Sequence, residues 1–466
     1  MDLLDMFVYA GYLIFILAVL LVVRQAKTMG DFAVGRRQFT SVIAFATLSA
    51  TAIGPGFTTG LIEKSSTDGL IWVVIFSFFA IQMLLTGVFV APRLRQFPNA
   101  LTLGDVMGAA YGPLAKVLTG VIAIVISVAI VGAIAKATGT FVNVITGINS
   151  TISIVVSMLI VLLYSTIGGI KADVFTDVMQ FVLITIGIPL ILLFLLFDTN
   201  FSPAIEAISF ENPDMPLATF IVLAGSFLLG EFLLPPYAAR AFSARTASDA
   251  KRAFIYAGLF SAIWFLVAGL IGVLGVSKMP GVPADEVFIT LVKDVLPAGV
   301  TGLALASITA IIASSQDSFL NSASVSFTRD IHQVVKSKDA NNPQLTTTKA
   351  ICFLIGLASM VIALYVPSII DALLIAYTLW APTIVIPLLV ALFYREIPPI
   401  AGPAGIIAGG VVTVLWITVF EEPSGVPSIY PGLLACAVGT LLAGLLGSKS
   451  SKSYLLQPIK PYSVDK

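Results

Sequence analysis

The sequence predicts an all-α polytopic membrane protein with about thirteen transmembrane helices, arranged as two repeats of opposite orientation. Three observations carry that expectation. Hydrophobic residues make up 58% of the 466, charged residues only 11%, and the mean hydropathy is +1.03, far from the balance of a soluble domain. Apolar runs long enough to cross a hydrocarbon core recur along the whole chain. Lys and Arg fall on every second connection between them, as retention of positive charge on the cytoplasmic side requires.

In order, the runs cover residues 6–24, 41–62, 69–92, 115–147, 150–168, 174–197, 215–239, 252–276, 298–328, 348–366, 370–394, 400–420 and 429–447. The first begins MDLLDMFVYAGY, with acids where a cleavable signal carries bases, so it is expected to remain as a helix. Of the 25 Lys and Arg, Lys64, Lys278 and Lys293 lie on one side and Lys136 lies inside a span; the others lie on the opposite side, among them Arg36, Arg37, Lys171, Arg240 and Arg329. The N-terminus is therefore expected outside and the C-terminus in the cytoplasm. The formal net charge of zero gives nucleic acid no electrostatic footing. Cys352 and Cys436 stand singly in apolar segments without metal-ligand spacing and read as packing residues.

Two spans are interrupted. In the second, Ile53-Gly54-Pro55-Gly56 removes an amide donor, sets the Pro55 ring against the Thr51 carbonyl and adds two poor helix formers. The carbonyls from Ala50 to Ile53 lose their intrahelical partners. In the seventh, Gly230 and the pair Pro235-Pro236 act in the same way. Unwound backbone at membrane depth is tolerated where it is buried in protein or lines a cavity. Two broken helices with four intact ones between them read as the first helices of two five-helix repeats, residues 41–198 and 199–396. Residues 1–40 then form an N-terminal helix and cytoplasmic loop, 397–448 two C-terminal helices, and 449–466 a cytoplasmic tail. The other reading is a pair of ordinary proline kinks.

The ninth span carries ASSQDSFLNSASVSFTRDI, Ala313 to Ile331. In a helix, Ile311, Ser314, Ser315, Ser318 and Ser322 share one face, with Asp317 and Asn321 beside it. Such a stripe is costly in lipid and belongs on the bundle interior, along an ion or solute pathway. Close helix packing by small residues is the alternative.

The segment YSTIGGIKADVFTDVMQ, Tyr164 to Gln180, closely resembles the signature of the sodium:solute symporter family. The serine-rich segment, DFAVGRRQ from Asp31 to Gln38, and the stretch Pro235 to Arg240 resemble further segments of that family, in family order, between about residues 24 and 400. The resemblance implies the five-plus-five inverted-repeat (LeuT-type) fold with an extra N-terminal helix, and transport of a small organic solute driven by sodium. Its sodium site maps onto the carbonyls of Ala50, Ile53 and Ile311 and the hydroxyls of Ser314 and Ser315. The residues support the same atoms: hard cations take oxygen ligands, the break frees carbonyls, and i, i+3, i+4 spacing offers one carbonyl and two hydroxyls. Some members hold a second sodium near the Thr-Asp of the signature, which here implies Asp177 with Ser314, Asp317 and Ser318. Asp317 departs from the commoner pattern. Two carboxylates together repel unless a sodium ion or a proton lies between them. Asp177 pairing with a loop Lys, or capping its helix at the surface, is the alternative.

The solute is expected beside both breaks, among Phe57, Thr58, Thr59, Gly230, Glu231, Tyr377 and Trp380. Glu231 suits an amine and Lys136 a carboxylate, which together fit a zwitterion; the alternative is that the two pair with each other, as buried charges do. The leading expectation is a sodium-coupled symporter in the cell membrane, with sodium ions, a small solute and the lipid bilayer as partners. Proton coupling through Asp177 and Asp317 is the runner-up. A solute sensor needs a separate partner, since the tail after Gly447 is short. An enzyme lacks a nucleophile–base pair or metal cluster, and the lone His332 lies at a helix end.

Overall fold

The computed structural model describes residues 2–22, 26–197, 209, 210, 212, 214–335, 343–365, 376–394, 396–423 and 426–448. The loop charges Arg24, Lys336, Lys338 and Arg395, and the tail 449–466, lie outside them. Among the described residues, eighteen α-helices account for the fold. α1 is Leu3–Val22, α2 Met29–Val34, α3 Ser41–Ala52, α4 Thr59–Asp68, α5 Ile71–Leu94 and α6 Leu103–Tyr111. α7 is Pro113–Thr146, α8 Ser150–Gly168, α9 Ile170–Phe197, α10 Leu217–Leu229, α11 Pro235–Ser243 and α12 Ala247–Lys278. α13 is Ala284–Asp294, α14 Val300–Val335, α15 Pro343–Ala363, α16 Ala376–Phe393, α17 Ala401–Thr418 and α18 Ile429–Leu446. Among the described residues, nine helices are long and apolar enough to cross a membrane, α3 and α4 form a bent tenth crossing, and α1, α8 and α10 carry shorter apolar segments. Together they are thirteen apolar segments at the positions of the thirteen expected runs, ten of them long enough to cross.

Both breaks are real. α3 and α4 meet at 77°, joined by one tight turn over Pro55–Phe57. α10 stops at Leu229 and α11 begins at Pro235, where the prolines occupy the first turn and need no amide partner. Leu233 between them is left-handed, with φ of 49°. Ordinary kinks would leave each helix continuous, so that reading is set aside.

α13 was not expected. It is an amphipathic helix of 11 residues, too short and too charged to register as a span. The starts of α2, α6 and α12 share one device, a Thr cap followed three residues later by Asp. Thr28, Thr102 and Thr246 accept the amides of Asp31, Asp105 and Asp249 at 3.1, 3.1 and 3.0 Å. Asp31 also receives Arg36 at 2.5 Å and Lys171 at 3.3 Å. Burial alone would raise its carboxyl, but Arg36, Thr28 and Lys171 outweigh that and hold it at about 2.

Two long-range ties position the site. Asp5 of α1 accepts the amides of Gly299 and Gly302 at 2.7 and 2.9 Å, capping the start of α14 with a carboxylate. Phe39, just before α3, and Ala244, just after α11, form an isolated parallel bridge: Phe39 N donates to Ser243 O at 3.3 Å and Arg245 N to Phe39 O at 2.8 Å. The two broken helices are thereby joined at one end by main chain.

Candidate functional site

The freed carbonyls of the first break meet the serine face of α14. Ser314 Oγ lies 2.9 Å from Ala50 O and 3.2 Å from Ile311 O, and Ser315 Oγ donates to Thr51 O at 3.0 Å. Ile53 O accepts Thr58 Oγ1 at 2.9 Å. All of these residues are buried. The approach depends on Gly54, because a Cβ there would stand 2.7 Å from Ser315 Oγ. Thus Ala50, Ile311 and Ser314 are brought together, with Ser315 on the neighbouring Thr51 carbonyl, while the Ile53 carbonyl is bonded to Thr58. The stripe is more than small-residue packing, since its hydroxyls satisfy carbonyls that the break orphaned.

One turn further along α14, charge replaces neutral oxygen. Asp177 of α9 accepts a short hydrogen bond from Thr47 Oγ1 and is paired with Arg240 at 2.9 Å. The same Arg240 nitrogen donates to Ser318 Oγ at 2.5 Å, and Ser318 lies 3.1 Å from Thr51 Oγ1. Asp177 is fully buried and Arg240 is 2% exposed. This corrects two expectations. Arg240, counted among the cytoplasmic loop charges, is an interior residue, because α11 turns its basic end into the bundle. Asp177 neither caps its helix at the surface nor meets a loop Lys.

Asp317 makes no side-chain hydrogen bond to Asp177 or to the Ser318 hydroxyl, which is taken by Thr51 and Arg240. Both of its oxygens are buried without a hydrogen-bond partner, as is Asp177 Oδ1. Asp317 lies within electrostatic reach of Asp173, Asp177 and Arg240. Asp173, one turn before Asp177, accepts Asn321 Nδ2 at 2.8 Å. Sequence reasoning passed over Asp173, although it stands in the same KADVFTD segment at i, i+4 to Asp177 and so on the same helix face.

At the second break, Glu231 is 4% exposed. Its Oε2 accepts Tyr237 Oη at 2.6 Å and its Oε1 accepts Tyr377 Oη in a short bond. Trp380 Nε1 donates to Phe232 O at 2.7 Å. Gly230 is pressed against α16, where a Cβ would stand 2.7 Å from that of Tyr377. Phe57 is enclosed by Phe76, Phe79, Phe227 and Phe265, with ring centroids 4.6–5.8 Å away. Thr58 Oγ1 accepts Trp264 Nε1 at 3.0 Å. The space between the breaks is therefore filled by aromatic side chains.

Lys136 is elsewhere. It lines a cavity of about 220 Å³ with Pro55, Thr59, Glu63 and Asp285, on the side where α13 lies. The expected Lys136–Glu231 pairing is replaced by two phenols on Glu231 and a cavity position for Lys136. On the opposite side, beneath the Arg240–Asp177 pair, Thr102, Gly104, Asn321, Ser322 and Ser326 line a cavity of only about 20 Å³. Asn321, Ser322 and Ser326 of the polar stripe thus line this small cavity.

Comparison with known proteins follows this geometry. The model of the sodium:solute symporter family matches residues 32–409. The chain is 26% identical over 371 residues to the high-affinity choline transporter 1 of Torpedo marmorata, covering 74% of this chain and 62% of that relative's length. It is 24% identical over 469 residues to the sodium/pantothenate symporter of Escherichia coli (strain K12), covering 95% and 96% of the two chains. A solved Na+-coupled sialic acid symporter, in a substrate-bound outward-open state, superposes with a TM-score of 0.80 at 19% identity over 97% of this chain and 100% of that one. MhsT in complex with L-phenylalanine gives 0.58 at 15% identity over 88% of this chain and 99% of that one. These likenesses establish the five-plus-five inverted-repeat fold.

Proposed function

The chain belongs to the sodium:solute symporter family, and on that premise we propose that it moves a small organic solute across the cell membrane with sodium, by alternating access between residues 41–198 and 199–396. In this reading the N-terminus is outside and the C-terminal tail is cytoplasmic. The cavity beside Lys136 is the outer approach, and the Arg240–Asp177 pair with its hydroxyls closes the inner one.

The observation that carries the proposal is the meeting of Ser314 Oγ with Ala50 O and Ile311 O. Three neutral oxygens converge there: Ala50 O, released by the break, and Ile311 O and Ser314 Oγ of the intact α14, with Ser315 Oγ on the neighbouring Thr51 O. An oxygen-only, uncharged set suits a weakly held hard monovalent cation. A sodium ion entering would take over carbonyls that the two hydroxyls now satisfy. It would thereby fix α3 to α14, and by linkage ion and solute would strengthen each other's binding. Asp177 Oδ1, Ser318 and Asp317 form the candidate second cation site, with Arg240 as the resident counter-charge.

The solutes named for these relatives do not share a charge, so the solute has to be read from this chain. Phe57, Thr58, Gly230, Glu231 and Tyr377 form the candidate central site, and Lys136 is positioned to meet a carboxylate on the way in. The test is uptake into proteoliposomes under an imposed sodium gradient, with potassium as control, for amino acids, amines, carboxylates and sugars. Accumulation that persists when potassium replaces sodium would refute sodium coupling.

A further inference from the structure

We infer that the central site selects a solute bearing a positively charged nitrogen, received by Glu231 at the second break; this rests on the central site proposed above. Glu231 stands where the helix is unwound between Leu229 and Pro235, so it is held by side-chain contacts rather than by a helical turn alone. It is almost wholly buried, and among the described residues its partners are two phenols and no cation. A buried carboxylate without a counter-charge is costly, and the site is completed by whatever cation supplies that charge.

The surroundings define the cation. Tyr377 lies 6.3 Å from Phe227 and Tyr237 lies 6.3 Å from Phe79, ring centroid to centroid. Phe57 and Phe76 extend the same aromatic wall. A metal ion would find one carboxylate and few further oxygens here, fewer than a hard cation takes. An organic ammonium group is satisfied by one carboxylate and the faces of aromatic rings, because the ring quadrupole attracts cations. Its N–H groups, where present, would take the Glu231 oxygens now bonded to Tyr237 and Tyr377, and the phenols would turn to the solute. The carboxylate and its tyrosines also come from both sides of the break and from α16. Occupancy by an ammonium would therefore draw α11 and α16 together around the solute.

The experiment follows thermal unfolding of the purified full chain with ethanolamine, its trimethylated form, the uncharged carbon isostere of that form, and acetate, each with and without sodium. Both ammonium compounds are expected to stabilise the protein, and the isostere and acetate are not. Glu231→Gln, which keeps an acceptor for the phenols, is expected to weaken ammonium binding at least tenfold and to leave the sodium-induced shift intact. Tyr377→Phe frees one Glu231 oxygen while keeping a ring, and is expected to preserve or raise ammonium affinity; a purely structural Glu231–Tyr377 tie would give loss of stability alone. Equal stabilisation by the isostere, or unchanged ammonium binding in Glu231→Gln, would overturn the inference. Sodium's own shift is read in ligand-free protein. Its absence would count against sodium coupling, and the ammonium series would still decide the solute class.

Discussion

Asp177 and Arg240 form an ion pair 2.9 Å long between α9 and α11, the second half of the second broken helix, with almost no solvent access to either side chain. Removing one partner of such a pair leaves the other charged in a dry interior, a loss of about 3–5 kcal/mol. Arg240→Gln is therefore expected to lower the thermal unfolding temperature sharply. The double variant with Asp177→Asn should recover part of that loss, which unfolding curves in detergent would read. Equal destabilisation in single and double variants would show that the pair is not coupled.

Replacing Ser314 and Ser315 by Ala removes two hydroxyls from the proposed sodium site. Hydrogen bonds to charged groups contribute about 1.5–3 kcal/mol each, so the sodium concentration for half-maximal uptake should rise at least tenfold. A sodium titration of uptake in proteoliposomes checks it. An unchanged titration removes the site.

Gly54→Ala sets a methyl 2.7 Å from Ser315 Oγ. The backbone there is not left-handed, so the conflict is with the serine, not with the torsions. Sodium binding is expected to weaken while the fold is kept. Combining the change with Ser315→Gly should relieve the clash in a double-mutant cycle on sodium affinity.

Asp31, held at about 2 beside Arg36, has a folded value below that of an unfolded aspartate. The unfolded chain therefore binds its proton first as pH falls. Its contribution to stability is complete above roughly pH 4 and lost on the way to about 2. Thermal unfolding across that window should fall more steeply for the wild type than for Asp31→Asn; parallel curves would contradict the assignment.

The architecture was largely legible because bilayer thickness and alternating loop charge constrain it strongly. Both breaks were legible too, because Gly54, Pro55, Gly230 and Pro235 act locally on the backbone. What escaped was pairing across sequence distance. Arg240 follows an apolar run exactly as a loop charge does, and nothing local tells that α11 points it inward to Asp177, 63 positions away. Glu231 and Lys136 looked like natural partners because both are charges in spans. The phenols of Tyr237 and Tyr377 claim Glu231, and aromatic hydroxyls carry no charge signal. α13 escaped for a simpler reason: at 11 residues, with Asp285, Glu286 and Lys293, it is too short and too charged to stand out as an apolar run.

The bridge between Phe39 and Ala244 is made by amides and carbonyls, not by side chains. Its persistence is therefore indifferent to which residues occupy those positions, provided that neither Phe39 nor Arg245 becomes proline. Across lineages the surrounding sequence can drift without untying the two broken helices. The two broken helices are thus tied at that end by a link that selection on individual side chains does not have to maintain.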